Sequence, residues 1–202
     1  MTSLKLFWLY RRNIADLLYV VLRRSICPFD AMEKLVRRKQ PGIIIDIGCG
    51  HGLFSLFCAL RGHRVIGFEP KGNRVIRAER ARNGRKNALF VQGYFSTKTQ
   101  RVQSAFLSDV LHHCALSDQK NLLKQVYESL ANDGVLVIKE ICTDDGLSYR
   151  LSALCDALLY PREQCCFHSR EELTDLLVSS GFSVAIIKKS SFLSTNLFVA
   201  RR

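Results

Sequence analysis

The sequence predicts an α/β fold: a mostly parallel sheet whose strands alternate with helices, ending in an antiparallel strand. Three observations predict it. From Gly42 onward, short apolar runs alternate with longer amphipathic stretches, the pattern of parallel strands joined by crossover helices. The first run, "IIIDI", opens into glycine at every second position, Gly48, Gly50 and Gly52. The last two runs, "FSVAIIKK" and "TNLFVARR", are separated by only a few residues, too few for a crossover, so they must pair antiparallel.

The elements follow in order. Residues 4–24, "LKLFWLYRRNIADLLYVVLRR", read as an apolar helix with Lys5, Arg12, Asp16 and Arg23 on one narrow face. Charges interrupt it too often for the roughly 20 apolar residues of a membrane span. Such a helix packs on the domain or lies in a membrane interface with its basic stripe toward headgroups. A second helix, residues 29–38, ends before a turn at Pro41 and Gly42. Next come the strand 43–47, the helix "LFSLFCALRG" closed by Gly62, and the strand "RVIGFE" ending in Glu69. The basic helix "GNRVIRAERARNG" closes at Gly84, and the strands "NALFV" and "SAFLSDV" follow. "DQKNLLKQVYESLANDG" is a helix stopped at Asp133-Gly134, "VLVIKE" a fifth strand, and "SYRLSALCDALLY" a helix stopped near Pro161. Ser169 and Glu172 have capping-box spacing at the start of the last helix, which ends at Gly181. The chain thus holds five parallel strands and a terminal antiparallel pair.

The chain has 202 residues, enough for one compact domain, residues 41–202, behind an N-terminal helical extension, residues 1–40. No linker, repeat or low-complexity tract divides it. The formal net charge of +12 favours anionic partners: nucleic acid, an acidic membrane surface or a phosphate-bearing substrate. Nine lysines or arginines fall between residues 61 and 86, against Glu69 and Glu79; they form a solvated helix face or an anion-facing surface. Cys49, Cys58, Cys114, Cys142 and Cys155 lie in apolar or motif segments, where free cysteine acts as a small hydrophobe. No secretory signal is recognisable, so a reducing, cytoplasmic setting is expected. "CCFH", with Cys165, Cys166 and His168, is too tight for common zinc spacings, and no metal is expected.

Glycines in a strand-to-helix turn serve ligands in a particular way. Ligands of open parallel sheets bind at the carboxyl ends of strands. A residue without Cβ lets them approach the backbone. A carboxylate ending the next strand, Glu69, can take both hydroxyls of a ribose. The plainer alternatives are glycines that only shape the turn and a glutamate that is only a surface acid.

Taken together, "IIIDIGCGHGLF", "VIGFEP", "SDVLHH" and "LANDGVLVIKE" resemble the class I S-adenosylmethionine-dependent methyltransferases, over roughly residues 41–202. The likeness is greatest to small bacterial-type members acting on lipids, quinones, polyketides or other small molecules. It implies a three-layer αβα, Rossmann-like methyltransferase fold with a seven-stranded, mostly parallel sheet and an antiparallel last strand. It implies S-adenosyl-L-methionine as cofactor. Asp46 with the turn Gly48, Cys49, Gly50 and Gly52 would hold the methionine end. Glu69 would hold the ribose, with Pro70 near the adenine and Gln92, Gly93 and Tyr94 along its other face. Many members carry an acid at position 92 or 93; here the Gln92 amide or a backbone group must substitute. Ser108 and Asp109 would border the sulfonium, although Asp109 also suits an N-cap.

Methyl transfer is an in-line displacement that mainly needs alignment. A hydroxyl acceptor also wants a general base, and His112 or His113, beside the expected sulfonium position, suits that role; the alternative is that both only line or pack the site. His51 fits a cofactor contact or a cap, and Tyr160 and His168 a substrate contact. The fourth-strand motif lacks the [DNS]-P-P-[YFW] pattern of amine methylation on nucleic-acid bases, which makes nucleic acid the less favoured partner. With the apolar leader, this points to a lipid-like or small-molecule acceptor, methylated at oxygen, in lipid or secondary-metabolite biosynthesis, with membrane-surface contact through residues 4–24. The rival readings are an RNA methyltransferase, an NAD-type oxidoreductase and a non-catalytic cofactor-binding partner.

Overall fold

A computed structural model describes residues 2–36, 42–96, 101–160, 165–188 and 193–202. The elements run α1 (Thr2–Tyr10), α2 (Ile14–Ile26), α3 (Phe29–Lys34), β1 (Ile43–Ile47), α4 (Leu53–Leu60), β2 (Arg64–Glu69), α5 (Gly72–Arg82) and β3 (Ala88–Gln92). They continue with β4 (Val102–Ser108), α6 (Leu116–Ser129), β5 (Leu130–Glu140), α7 (Leu147–Leu159), α8 (Arg170–Ser179), β6 (Ser183–Lys188) and β7 (Asn196–Arg201). Short 3₁₀ turns lie at Leu111–His113 and Thr143–Asp145. The strands form one seven-stranded sheet in the order β3-β2-β1-β4-β5-β7-β6. This is the Rossmann-like α/β arrangement expected, with β7 antiparallel to both its neighbours.

Two compact units make up the chain: Met1–Ser96 with Val102–Phe106, and Thr97–Arg101 with Leu107–Arg202. In the first unit, β1 and β2 pair in parallel with Asp46 opposite Gly67, and β2 pairs with β3 with Glu69 opposite Gln92. Helix α4 is buried from Leu53 to Ala59, as a helix apolar all round must be. Phe54 packs edge-on to Phe29 and Phe106 at centroid distances of 5.2 and 4.6 Å, in the geometry aromatic quadrupoles favour. The second unit centres on β5 and β7, where Ile138 faces Phe198 and both are fully buried.

The structure corrects three expectations. Residues 4–24 do not form one helix. The chain breaks at Arg11–Asn13, and Asn13 caps α2 by accepting the Asp16 amide hydrogen at 3.2 Å. Lys5, Arg12, Asp16 and Arg23 therefore do not share one stripe. Asp16 is buried and pairs with Arg77 at 2.6 Å, because a carboxylate excluded from water needs a cation. Helix α6 stops at Ser129, not at Asp133-Gly134, since Leu130 already belongs to β5. Helix α5 closes one residue before Gly84, on Asn83 at φ 49°, a left-handed position asparagine tolerates. Helix α8 has the expected capping box, with Ser169 Oγ accepting from Glu172 N and Glu172 accepting from Ser169 N. Pro41 and Pro161 lie outside the described residues.

Candidate functional site

In the first unit, β1 delivers its chain into the glycine turn. Gly48 N and Cys49 N both donate to the Phe68 carbonyl, at 2.8 and 3.0 Å, which pins the turn to β2. Gly50 and Gly52 both have positive φ, 56° and 75°, but for different reasons. A Cβ at Gly52 would stand 2.6 Å from the Phe90 ring and 2.9 Å from Ala78 Cβ, so this glycine is needed for packing. A Cβ at Gly50 would meet nothing within 4 Å. Space is open over the backbone there, as the approach of a ligand requires.

Glu69 is 2% exposed and is not a surface acid. Its Oε2 accepts from Gly50 N and its Oε1 from Lys71 N, each at 3.0 Å, and Arg74 stands 3.8 Å away. Each carboxylate oxygen keeps a further lone pair, the number that two ribose hydroxyls require. Burial would have been hard to read from sequence, but an acid ending a buried strand was the available signal. Asp46 is also buried, and Ser55 of α4 donates to its Oδ2 at 2.5 Å. Burial pushes its carboxyl up to about 7, against the lowering effect of the Ser55 bonds, with a small upward push from Glu69. Cys49 is buried beneath the turn, and burial raises its thiol, with Asp46 and Glu69 adding to the effect.

Pro70 and Gln92 are exposed, Gly93 N donates to the Glu69 carbonyl at 3.0 Å, and Tyr94 is 86% exposed. His51 is clamped from the N-terminal side. Its carbonyl accepts the Tyr10 hydroxyl at 2.7 Å, and its ring lies 4.8 Å from that of Tyr19. Burial, then the nearby Arg77, lowers its pKa, and its Nδ1 is buried without a hydrogen-bond partner.

The second unit carries the other expected residues. Ser108 Oγ is buried with no hydrogen-bond partner. Asp109 sits at φ 55°, a conformation that non-glycine residues hold only when neighbours enforce it. Here its amide donates to the Lys139 carbonyl at 2.8 Å, and Lys139 Nζ donates to its Oδ1 at 2.5 Å. The N-cap position of the following turn is taken by Val110.

Sequence reasoning missed Glu140 and Asp156. Glu140 Oε1 accepts from Val110 N at 3.0 Å and Leu111 N at 2.8 Å, and Oε2 holds His112 Nδ1 at 2.5 Å. Its signal was available: like Glu69, it is an acid ending a buried strand. Asp156 Oδ1 stands 3.6 Å from both His112 Nε2 and His113 Nε2. Burial alone would lower the His112 pKa; the Glu140 charge, with the nearby Asp156 carboxylate and the bond to Glu140, outweighs it and lifts it to about 10. Burial would raise the Asp156 pKa, but the adjacent His112 ring and the bond from Cys165 hold it low. Cys165 Sγ donates to Asp156 Oδ2 at 3.2 Å and lies 3.6 Å from His113 Nδ1. One atom each of His112, His113, Asp156 and Cys165 lie within 4.8 Å of one another, a set able to take a metal ion. Within it Cys165 bonds Asp156 and His113, while His112 Nε2 is buried without a hydrogen-bond partner, 3.6 Å from the Asp156 carboxylate. His113 packs against Tyr160 with 5.1 Å between centroids, and His168 Nε2 meets Gln119 Oε1 at 2.7 Å.

A glycine turn open above one residue and a strand-ending buried carboxylate, on a sheet with a reversed last strand, define a nucleoside-binding enzyme of the methyltransferase type. The comparisons agree. A family model described as a methyltransferase domain matches residues 21–185. The chain belongs to that family, among the class I S-adenosylmethionine-dependent methyltransferases.

Solved structures show the same fold. An O-methyltransferase family protein from Burkholderia thailandensis matches with a TM-score of 0.72 at 15% identity, over 91% of this chain and 57% of that one. An S-adenosylmethionine-dependent methyltransferase from Mesorhizobium loti matches at 0.70 and 16%, over 86% and 96%. The 1,6-didemethyltoxoflavin-N1-methyltransferase of Burkholderia thailandensis, solved with that compound and S-adenosylhomocysteine, matches at 0.66 and 17%, over 90% and 80%. The chain thus spans little more than half the length of the first of these.

Proposed function

We propose that the protein transfers a methyl group from S-adenosylmethionine to oxygen on a small, lipid-like acceptor. The observation that supports the donor is the open backbone at Gly50 hydrogen-bonded to the buried Glu69 carboxylate. When bound, the cofactor supplies a methyl group already activated as part of a sulfonium.

The chain's own residues then have three tasks. Glu69 accepts ribose hydroxyls with its spare lone pairs while the Gly50 and Lys71 amides keep it oriented. The turn around Gly50 takes the methionine end, with Asp46 supporting the turn through Ser55. His113 receives the acceptor proton. Its neighbour His112 is a poor base, because Glu140 occupies Nδ1 and the ring keeps its proton up to about pH 10. His113 is 16% exposed, against 1% for His112, which favours it further.

The readings as an RNA methyltransferase or an NAD-type oxidoreductase gain little. Arg61, Arg77 and Arg82 in the basic segment 61–86 are tied to Glu33, Asp16 and Glu79, so these three are not free to hold RNA phosphates. Titration calorimetry tests the donor: S-adenosylhomocysteine should bind, NAD should not, and Glu69→Ala should abolish binding while retaining the folded circular dichroism. Labelled-methyl donor given to cell extract tests the acceptor, and the label should enter the organic-soluble fraction. A water-soluble or RNA product would refute the lipid-like class.

A further inference from the structure

The N-terminal helices bury one face and leave another in water. Leu6, Leu9, Tyr10 and Val20 are buried, while Leu4 and Trp8 on α1 are 73% and 51% exposed. On α2, Ile14, Leu18, Val21 and Leu22 are exposed at i, i+4, i+7 and i+8, a single helical stripe. The helices lie against each other, with Arg24 Nε donating to Ser3 Oγ at 3.2 Å. Scattered surface leucines need no explanation; stripes on two adjoining helices do.

The charge beside these stripes says what covers them. Residues 4–24 hold one acid, Asp16, which Arg77 already neutralises. A small cleft next to Trp8 is lined by Arg11, Arg12 and Arg80. Elsewhere in this unit arginines meet carboxylates, as Arg24, Arg61 and Arg82 do. No carboxylate pairs with Arg11, Arg12 or Arg80 among the described residues; Arg11 instead stacks on Trp8, 3.5 Å from the ring centroid. Three guanidiniums without acids around one cleft form an anion site, and an indole at its edge is a side chain that favours the headgroup level of a bilayer. A second copy of this chain would bring the same positive cleft against itself; an anionic bilayer brings opposite charge and an apolar layer together.

We infer that α1 and α2 dock the protein on an anionic membrane surface, with a headgroup phosphate among Arg11, Arg12 and Arg80 and the two apolar stripes set into the interface. This rests on the lipid-like reading of the acceptor, and it supplies a route by which such an acceptor meets the enzyme.

Trp8 is the only tryptophan in the chain, so its fluorescence reports on this face alone. Full-length protein is mixed with phosphatidylcholine vesicles with and without phosphatidylglycerol. The expected result is a blue shift and quenching by brominated acyl chains, with phosphatidylglycerol vesicles only, weakening as salt rises. Arg12→Ala and Arg80→Ala should each weaken binding about fivefold. Leu18→Ser with Leu22→Ser should abolish the shift. All these positions are exposed, and S-adenosylhomocysteine binding should be unchanged in every variant. The inference is overturned if Trp8 emission ignores the vesicles, if inorganic phosphate binds equally well and lipid adds nothing, or if these leucines hold a dimer that Leu18→Asp splits. A wild type that docks but binds no S-adenosylhomocysteine would sink the proposed function and leave the docking standing.

Discussion

Replacing Glu140 with glutamine tests how the second unit holds its histidines. Glutamine keeps the shape and one carbonyl acceptor for the Val110 and Leu111 amides, but removes the charge facing His112. The His112 pKa stands at about 10 against an ordinary 6.5. A group whose folded pKa is raised stabilises fully below its unfolded value, and that stabilisation drains as pH climbs through the folded value. At about 1.4 kcal/mol per pH unit, the 6.5-to-10 window corresponds to at most on the order of 5 kcal/mol. Removing one partner of a buried ion pair costs about 3–5 kcal/mol, so the two routes agree. Urea unfolding of wild type and Glu140→Gln at pH 6, 8 and 10 is the assay. The difference between them should be largest at pH 6 and shrink toward pH 10. Cysteines, tyrosines and lysines also titrate at high pH, but they are common to both proteins and cancel. A variant that loses under about 1 kcal/mol at pH 6, or that shows the wild-type pH slope, would refute the pairing.

Three further outcomes follow from the first unit and α8. Gly50→Ala should cost about 1–2 kcal/mol of backbone strain and sharply weaken S-adenosylhomocysteine binding, whereas Gly52→Ala, which meets Phe90, should lower the melting temperature more; calorimetry and thermal melts separate them. Tyr10→Phe removes a buried donor to the His51 carbonyl and should cost about 1 kcal/mol and loosen the glycine turn, read by amide exchange at residues 48–52. Ser169→Ala should cost about 1 kcal/mol in urea unfolding, with methyl transfer kept.

Local rules made much of the fold legible. The strand at Arg64–Glu69 and the capping box at Ser169 were readable because their signals lie within a few residues. The break at Arg11–Asn13 was missed because no proline or glycine marks it. The Asn13-to-Asp16 cap was the signal, masked by apolar periodicity on both sides. The site divides the same way. Gly50 and Glu69 stand where the motif suggests, but that Gly52 serves packing depends on Phe90, which sequence spacing does not bring near. The Glu140–His112 pair joins residues 28 apart, and Asp156 joins from a helix whose periodicity reads as ordinary packing. Such partners are chosen by topology, and a single sequence carries no trace of the choice.

The place of β7 between β5 and β6 has a consequence for how the protein is made. Synthesis delivers β6 first, yet among the described residues its only strand neighbour is β7, still to come. Until then Val184–Ile187 is an apolar run with three β-branched side chains and bare amides and carbonyls, the kind of segment that invites pairing with another nascent chain. Slow translation or dense expression prolongs that exposure, so yield should depend on synthesis rate and temperature even when the finished molecule is robust.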